Sequence, residues 1–140
     1  MSKIFIDSSI LVPLFWKEHP NHNKVAKHLS IIKNNECYMS NGILSEVMTV
    51  LGMKTKNIDL VKIVYDYLQD NFKILNEYEI NDFNFKVFSV FQKYNKNAFK
   101  VSFIDCSSVV IVDEYSLDNV MSLDKDFKRF EEIDLVKLED

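Results

Sequence analysis

The sequence predicts a three-layer α/β/α sandwich around a mainly parallel sheet, organised as one domain over residues 1–140. Three observations carry this reading. Short apolar segments alternate with longer segments of helical periodicity, the order of an α/β fold. The short segments are apolar throughout rather than at every second residue, as in strands covered on both faces. The chain has only 2 Gly and 2 Pro, and no low-complexity or like-charge stretch that would serve as a linker. With 140 residues, 47% of them apolar, it buries enough surface to fold without a disulfide or metal staple.

The first strand is KIFI, residues 3–6, and Asp7 stands at its C-terminal end. Ile10, Leu11, Leu14 and Phe15 follow at helical spacing, with Pro13 expected to delay or kink that helix. HPNH reads as a helix start, and Val25, Leu29 and Ile32 continue the stripe. ECYMS, residues 36–40, is the second strand. Helices are expected over 43–54 and 59–71, and FKILN is a third strand. Ile80, Phe83, Val87, Phe91 and Tyr94 share one face of a helix over 79–95. A further helix over 102–115, a strand over 120–122 and a last strand near 135–138 complete the chain.

Composition narrows the function. Cys37 and Cys106 form no CxxC pair, so zinc ribbons and disulfide scaffolds are not indicated, and two unframed thiols suit a reducing cytoplasm. No apolar run approaches the ~18 residues of a membrane span, and no secretory leader pattern opens the chain. The net charge is −4, with sixteen Lys and the single Arg129. A nucleic-acid ligand would therefore be held by a local Lys cluster or a bound metal, not by an Arg-rich face. His22 and His28 are six residues apart and His19 precedes Pro20, a spacing that does not gather a zinc site.

The chemistry lies in the acids. An unpaired carboxylate in a dry core is costly, so Asp7 must cap, pair or hold a cation. In ILSEVMTVL, Glu46 borders the apolar stripe and is expected to be half-buried. In SFIDCSSVV, Asp105 shares a face with Val109 and Val112. Asp124, in VMSLDKDF, ends a strand as Asp7 does, and Asp126 follows two residues later. Each alone has a local explanation: Asp7 and Asp105 as helix-start carboxylates, Asp124 and Asp126 as turn residues. Ligands of parallel sheets gather beyond the carboxyl ends of the strands. Convergence there would present three or four oxygens to a hard cation, Mg²⁺ or Mn²⁺.

The ordered motifs IFIDSS, LSEVMTVL, VSFIDCSS and SLDKDF resemble the PIN domain, most closely the VapC-like toxins of type II toxin–antitoxin pairs. The resemblance spans nearly the whole chain and includes HPNHNKVAKHL. It implies an α/β/α fold and a Mg²⁺- or Mn²⁺-dependent endoribonuclease, with Asp7, Glu46, Asp105 and Asp124 as metal-site acids, Ser9 supporting them, and Asp126 as second choice for the fourth. It also implies a small cognate antitoxin and a homodimer. Ile104 stands where many relatives have Thr or Ser, and Cys106 where Ala is common. A receiver domain would need paired acids after the first strand and a late Lys-Pro; a haloacid-dehalogenase-type phosphatase would need Asp-x-Asp where this chain has Asp-Ser-Ser. The remaining alternative is a PIN-like module that binds RNA or protein without catalysis.

Overall fold

A computed structural model describes residues 1–139. Four strands, β1 (Lys3–Ile6), β2 (Glu36–Ser40), β3 (Lys73–Leu75) and β4 (Asn119–Met121), form an all-parallel sheet in the order β3-β2-β1-β4. Ile4, Phe5 and Ile6 of β1 are all buried, as uninterrupted apolar character requires of a central strand covered on both faces.

The helices are α1 (Ser8–Phe15), α2 (His22–Ala26), α3 (Leu29–Lys33), α4 (Asn41–Thr55), α5 (Ile58–Asn71), α6 (Phe83–Tyr94) and α7 (Phe103–Glu114). Parallel crossovers are right-handed. The steps β1→β2→β3 run one way along the sheet and place α1 to α5 on one face. The step β3→β4 runs back past β1 and places α6 and α7 on the other. The packing follows: α1 meets α2 and α4, α4 meets α5, and α6 pairs with α7. Helix α7 is buried on every side from Cys106 to Val112, the pattern of a helix in the middle of its layer.

Where the elements depart from expectation, local chemistry explains it. Pro13 does not delay α1, which begins at Ser8, but the helix ends two residues beyond it at Phe15. The stripe through Val25, Leu29 and Ile32 is divided between α2 and α3, because His28 leaves helical geometry at φ −104°, ψ 14°. The helix expected from residue 79 starts at Phe83 instead. Asn76 caps a short 3-10 turn, Glu77–Glu79, and Asp82 enters α6 from the left-handed region at φ 54°. The last expected strand is reduced to one parallel bridge between Val120 and Leu135.

One buried acid anchors the site-bearing helix. Glu77 is 2% exposed, and its two oxygens accept the N–H groups of Asn41 and Gly42, both at 2.9 Å. Ser40 accepts the N–H of Ile43, so the first three orphan donors of α4 are satisfied. A Cβ on Gly42 would lie 2.9 Å from Ile104 Cδ1 and 3.3 Å from Glu77 Oε2, whereas one on Gly52, in the same helix, meets nothing nearer than 4.0 Å. Gly-to-Ala changes inside helices ordinarily stabilise by about 0.5–1 kcal/mol. Urea unfolding should show that gain for Gly52→Ala and a smaller one for Gly42→Ala, where the Ile104 side chain and the hydrogen-bonded Glu77 carboxylate must shift.

Candidate metal centre

The strand order reverses between β1 and β4, and this switch point is where their carboxyl ends lie side by side. Asp7 follows β1 directly, and its N–H donates to Met121 O at the end of β4. Asp124 lies three residues beyond β4. Helix α4 leaves the end of β2 at the same rim, carrying Glu46 in its second turn. Helix α7 runs back towards the opposite edge, so its first turn, with Asp105, also faces this rim. Asp7, Glu46, Asp105, Asp124 and Asp126 all line one open cleft of about 540 Å³, together with Ser9, Ser102, Phe99 and Lys100.

Each aspartate also performs the local task its sequence context suggests. Asp7 is the N-cap of α1: its Oδ2 accepts the Ser9 N–H at 3.3 Å and the Ser122 hydroxyl at 3.0 Å. Asp105 is in the first turn of α7, where its N–H donates to the Ser102 hydroxyl at 3.0 Å. Asp124 caps the 3-10 turn Lys125–Arg129 by accepting the Asp126 N–H at 2.9 Å. A carboxylate has about four acceptor positions, so these bonds leave capacity directed to the cleft. Capping and convergence are compatible here because every cap sits at the same edge of the sheet.

Ser122, which sequence reasoning passed over, joins the two strand ends. Its hydroxyl donates to Asp7 and accepts the Asp124 N–H at 3.0 Å, while Ser9 Oγ lies 3.1 Å away and accepts the Leu123 N–H at 2.9 Å. The signal was available: a Ser two residues before an acid, at the end of a strand, mirrors Ser9 two residues after Asp7. Glu46 differs from expectation in the other direction. It is exposed at the rim of the cleft, not half-buried, so its burial gives no reason for its presence. Asp126 is paired with Arg129 at 3.1 Å, which sets it apart from the other four. The three histidines bond separately, His19 to the Asn21 N–H, His22 to Pro13 O and His28 to Glu139 O.

Among the described residues, no Lys, Arg or His forms an ion pair with Asp7, Glu46, Asp105 or Asp124. Burial pushes the Asp7 carboxyl above its ordinary range, partly offset by the Ser9 and Ser122 hydrogen bonds and reinforced by the charge of Glu46. Burial likewise raises Asp105 to about 6, with Asp124 and Asp7 adding repulsion against the Ser102 hydrogen bonds. The donor set is all hard oxygen, which suits Mg²⁺ or Mn²⁺. Its side chains line the cleft without closing on one point: among the described residues, no three His, Cys, Asp or Glu stand at chelating spacing. An open arrangement fits Mg²⁺, which keeps several waters and takes only one or two carboxylates directly.

The sign of the resulting pH dependence follows from linkage. A carboxyl whose folded pKa lies above its unfolded value near 3.8 binds its proton more tightly in the native state. The stability associated with it is present below pH 4 and is lost as pH rises through about 6. Without divalent ions, the melting temperature should therefore rise as pH falls from 7 towards 5. Asp105→Asn should raise it at pH 7 and flatten that dependence, as read by differential scanning fluorimetry.

Comparison with known proteins agrees with this architecture. The PIN domain family model matches residues 4–133. No curated protein matches the chain. Among solved structures, it is similar to VapC20 of Mycobacterium tuberculosis, a sarcin-ricin loop cleaving toxin, with a TM-score of 0.74 and 21% identity, covering 93% of this chain and 98% of that one. VapBC2 from Rickettsia felis, bound to a DNA fragment from its promoter, matches with a TM-score of 0.72 and 15% identity, covering 96% of this chain and 97% of that one. A toxin–antitoxin complex from Klebsiella pneumoniae gives 0.70 and 18%, covering 97% and 98%. A parallel sheet in the order β3-β2-β1-β4, acids gathered at its switch point and a family match over nearly the full length lead to one assignment: the chain belongs to the PIN domain family.

Proposed function

We propose that this protein is a metal-dependent endoribonuclease and the toxin of a toxin–antitoxin pair. The observation that carries the proposal is the cleft in which Asp7, Glu46, Asp105 and Asp124 face one another with no cationic side chain paired to them among the described residues. Such repulsion favours binding of a divalent ion. A bound Mg²⁺ or Mn²⁺ supplies Lewis acidity, acidifying the attacking water and neutralising charge on the phosphate and leaving oxygens.

The chain's own residues set the geometry. Asp7 and Asp105 are the principal ligands, each held by serine hydrogen bonds that fix its segment at the rim. Asp124, at the neighbouring strand end, and Glu46, exposed at the rim, complete the shell or position water through hydrogen bonds. Ser9 and Ser122 keep the Asp7 and Asp124 segments at a constant separation. Their hydroxyls are occupied by these bonds, so neither is a nucleophile.

The toxin assignment rests on the likeness to VapC20 and to the toxin–antitoxin complexes. It implies a small antitoxin that covers the cleft, and an RNA substrate met in the cytoplasm. Phe85, Phe88 and Phe99, exposed on and just after α6, offer an apolar face for a homodimer. No helix among the described residues is long and apolar enough to cross a membrane. The competing reading, a PIN-like module that binds without catalysis, draws on the absence of a closed chelating group among the described residues.

Two measurements separate these readings. Titration with Mn²⁺ should raise the melting temperature, because an ion at about 100 times its Kd stabilises the native state by about 2.7 kcal/mol; a flat response favours the binding module. Asp7→Asn should keep the circular dichroism spectrum and lower metal-dependent RNA cleavage by at least about 100-fold, on the order of the loss for removing one preorganised catalytic group. Undiminished cleavage by that variant contradicts the assignment.

A further inference from the structure

A second hollow, of about 470 Å³, adjoins the acidic cleft and shares Asp124 with it as a common wall. It lies between the 3-10 turn after β4 and the C-terminal segment that bridges to Val120. Lys125 and Lys128 line it from the turn, Lys137 from the C-terminal segment and Lys24 from α2. Leu135, Val136 and Leu138 also line it, offering apolar surface. Glu139 is the acid besides Asp124 among the lining residues, and its carbonyl is bonded to His28.

Lys125, Lys128 and Lys137 are exposed, and among the described residues none has a carboxylate within ion-pair distance. Lys62, Lys73, Lys86 and Lys93 are each paired with an acid, whereas Lys3, Lys33 and Lys54 also form no ion pair among the described residues, so what marks the three is their convergence on one hollow. In a chain of net charge −4, three cations without an ion pair, drawn from two separate segments, thus meet beside the reaction cleft. A solvated lysine face would not need an apolar pocket beneath it. A nucleotide matches both features, with phosphate for the ammonium groups and sugar and base for the apolar lining.

Resting on the nuclease reading above, we propose that this hollow is a docking subsite for the RNA strand: Lys125, Lys128 and Lys137 hold the phosphates of nucleotides flanking the scissile bond, which crosses the shared Asp124 wall into the acidic cleft. Lysine contacts to phosphate are electrostatic and independent of base identity, so the subsite contributes affinity and register rather than sequence choice. A single strand is favoured over a duplex, because base and sugar must reach the apolar lining.

The test is fluorescence anisotropy with a fluorescein-labelled oligouridylate, in Mg²⁺ and an Asp7→Asn background so that cleavage does not intervene. Lys125→Gln, Lys128→Gln and Lys137→Gln together should weaken binding on the order of 10- to 100-fold and reduce the slope of log affinity against log salt by about 0.7 for each phosphate that is no longer neutralised. Lys3→Gln, Lys33→Gln and Lys54→Gln, at the opposite end of the strands, make the same change in net charge and should leave the slope unaltered. Equal losses in both triple variants, an unchanged slope, or no binding by the parent protein overturns the subsite. So does an oligoglutamate that binds through the same lysines while RNA does not.

The subsite and the nuclease reading fail separately. Lysine-dependent binding with no cleavage by the wild-type protein in any divalent ion sinks catalysis and keeps the subsite. Metal-dependent cleavage with an unchanged KM in the lysine variant does the reverse.

Discussion

The hydrogen bond from Ser122 to Asp7 joins the ends of two strands that are neighbours in the sheet and 115 residues apart in the chain. It exists because the path β1→β2→β3 moves away on one side of β1 and the chain then returns to lay β4 on the other. Right-handed crossovers on opposite faces leave a crevice at that reversal. Asp7 is 5% exposed there, in a place where a carboxylate is expensive unless hydrogen-bonded and matched by positive charge. Ser9 and Ser122 supply the hydrogen bonds, and burial still holds the carboxyl above its ordinary range.

Two clusters of opposite sign stand back to back across Asp124. Lysines dominate one side and carboxylates the other, and the peptide between them is held by Ser122 and by the cap on Asp126 N–H. This division resolves a conflict between functions. Under the proposed nuclease reading, a strand of phosphates is repelled by acids that hold a catalytic ion, and it needs cations beside them. Lys125, between Asp124 and Asp126 in the chain, and Lys100, on the wall of the acidic cleft, bring positive charge to that boundary without an ion pair to Asp7, Glu46, Asp105 or Asp124 among the described residues.

Glu77 illustrates the same economy in a structural role. It is buried like Asp7 but makes two charge-assisted bonds to the positive end of α4, so no cation is required. Two buried carboxylates thus have different meanings, and the distinction lies in their partners. Nothing in NEYEI distinguishes Glu77 from its neighbour Glu79 until β3 sets the chain beside the start of α4. Glu46 shows the converse. Its position between Ile43, one turn before, and Val50, one turn after, suggests half-burial, but the cleft leaves that flank of α4 open to solvent.

Local sequence determined four strands, most helices and the places of Asp7, Asp105 and Asp124 at the starts of helices or turns, because apolar periodicity and cap chemistry act over a few residues. The short, β-branched and aromatic run KIFI suits a covered strand, and an acid that closes a strand or opens a helix reads directly. Tertiary structure decided what short-range rules do not contain: that α2 and α3 break at His28, that the last strand shrinks to a bridge, that Ser122 ties Asp7 to Asp124, and that lysines of the turn after β4 and of the C-terminal segment line one hollow. Those facts depend on which surfaces meet once the sheet reverses its order, a property of the closed chain that no single segment carries.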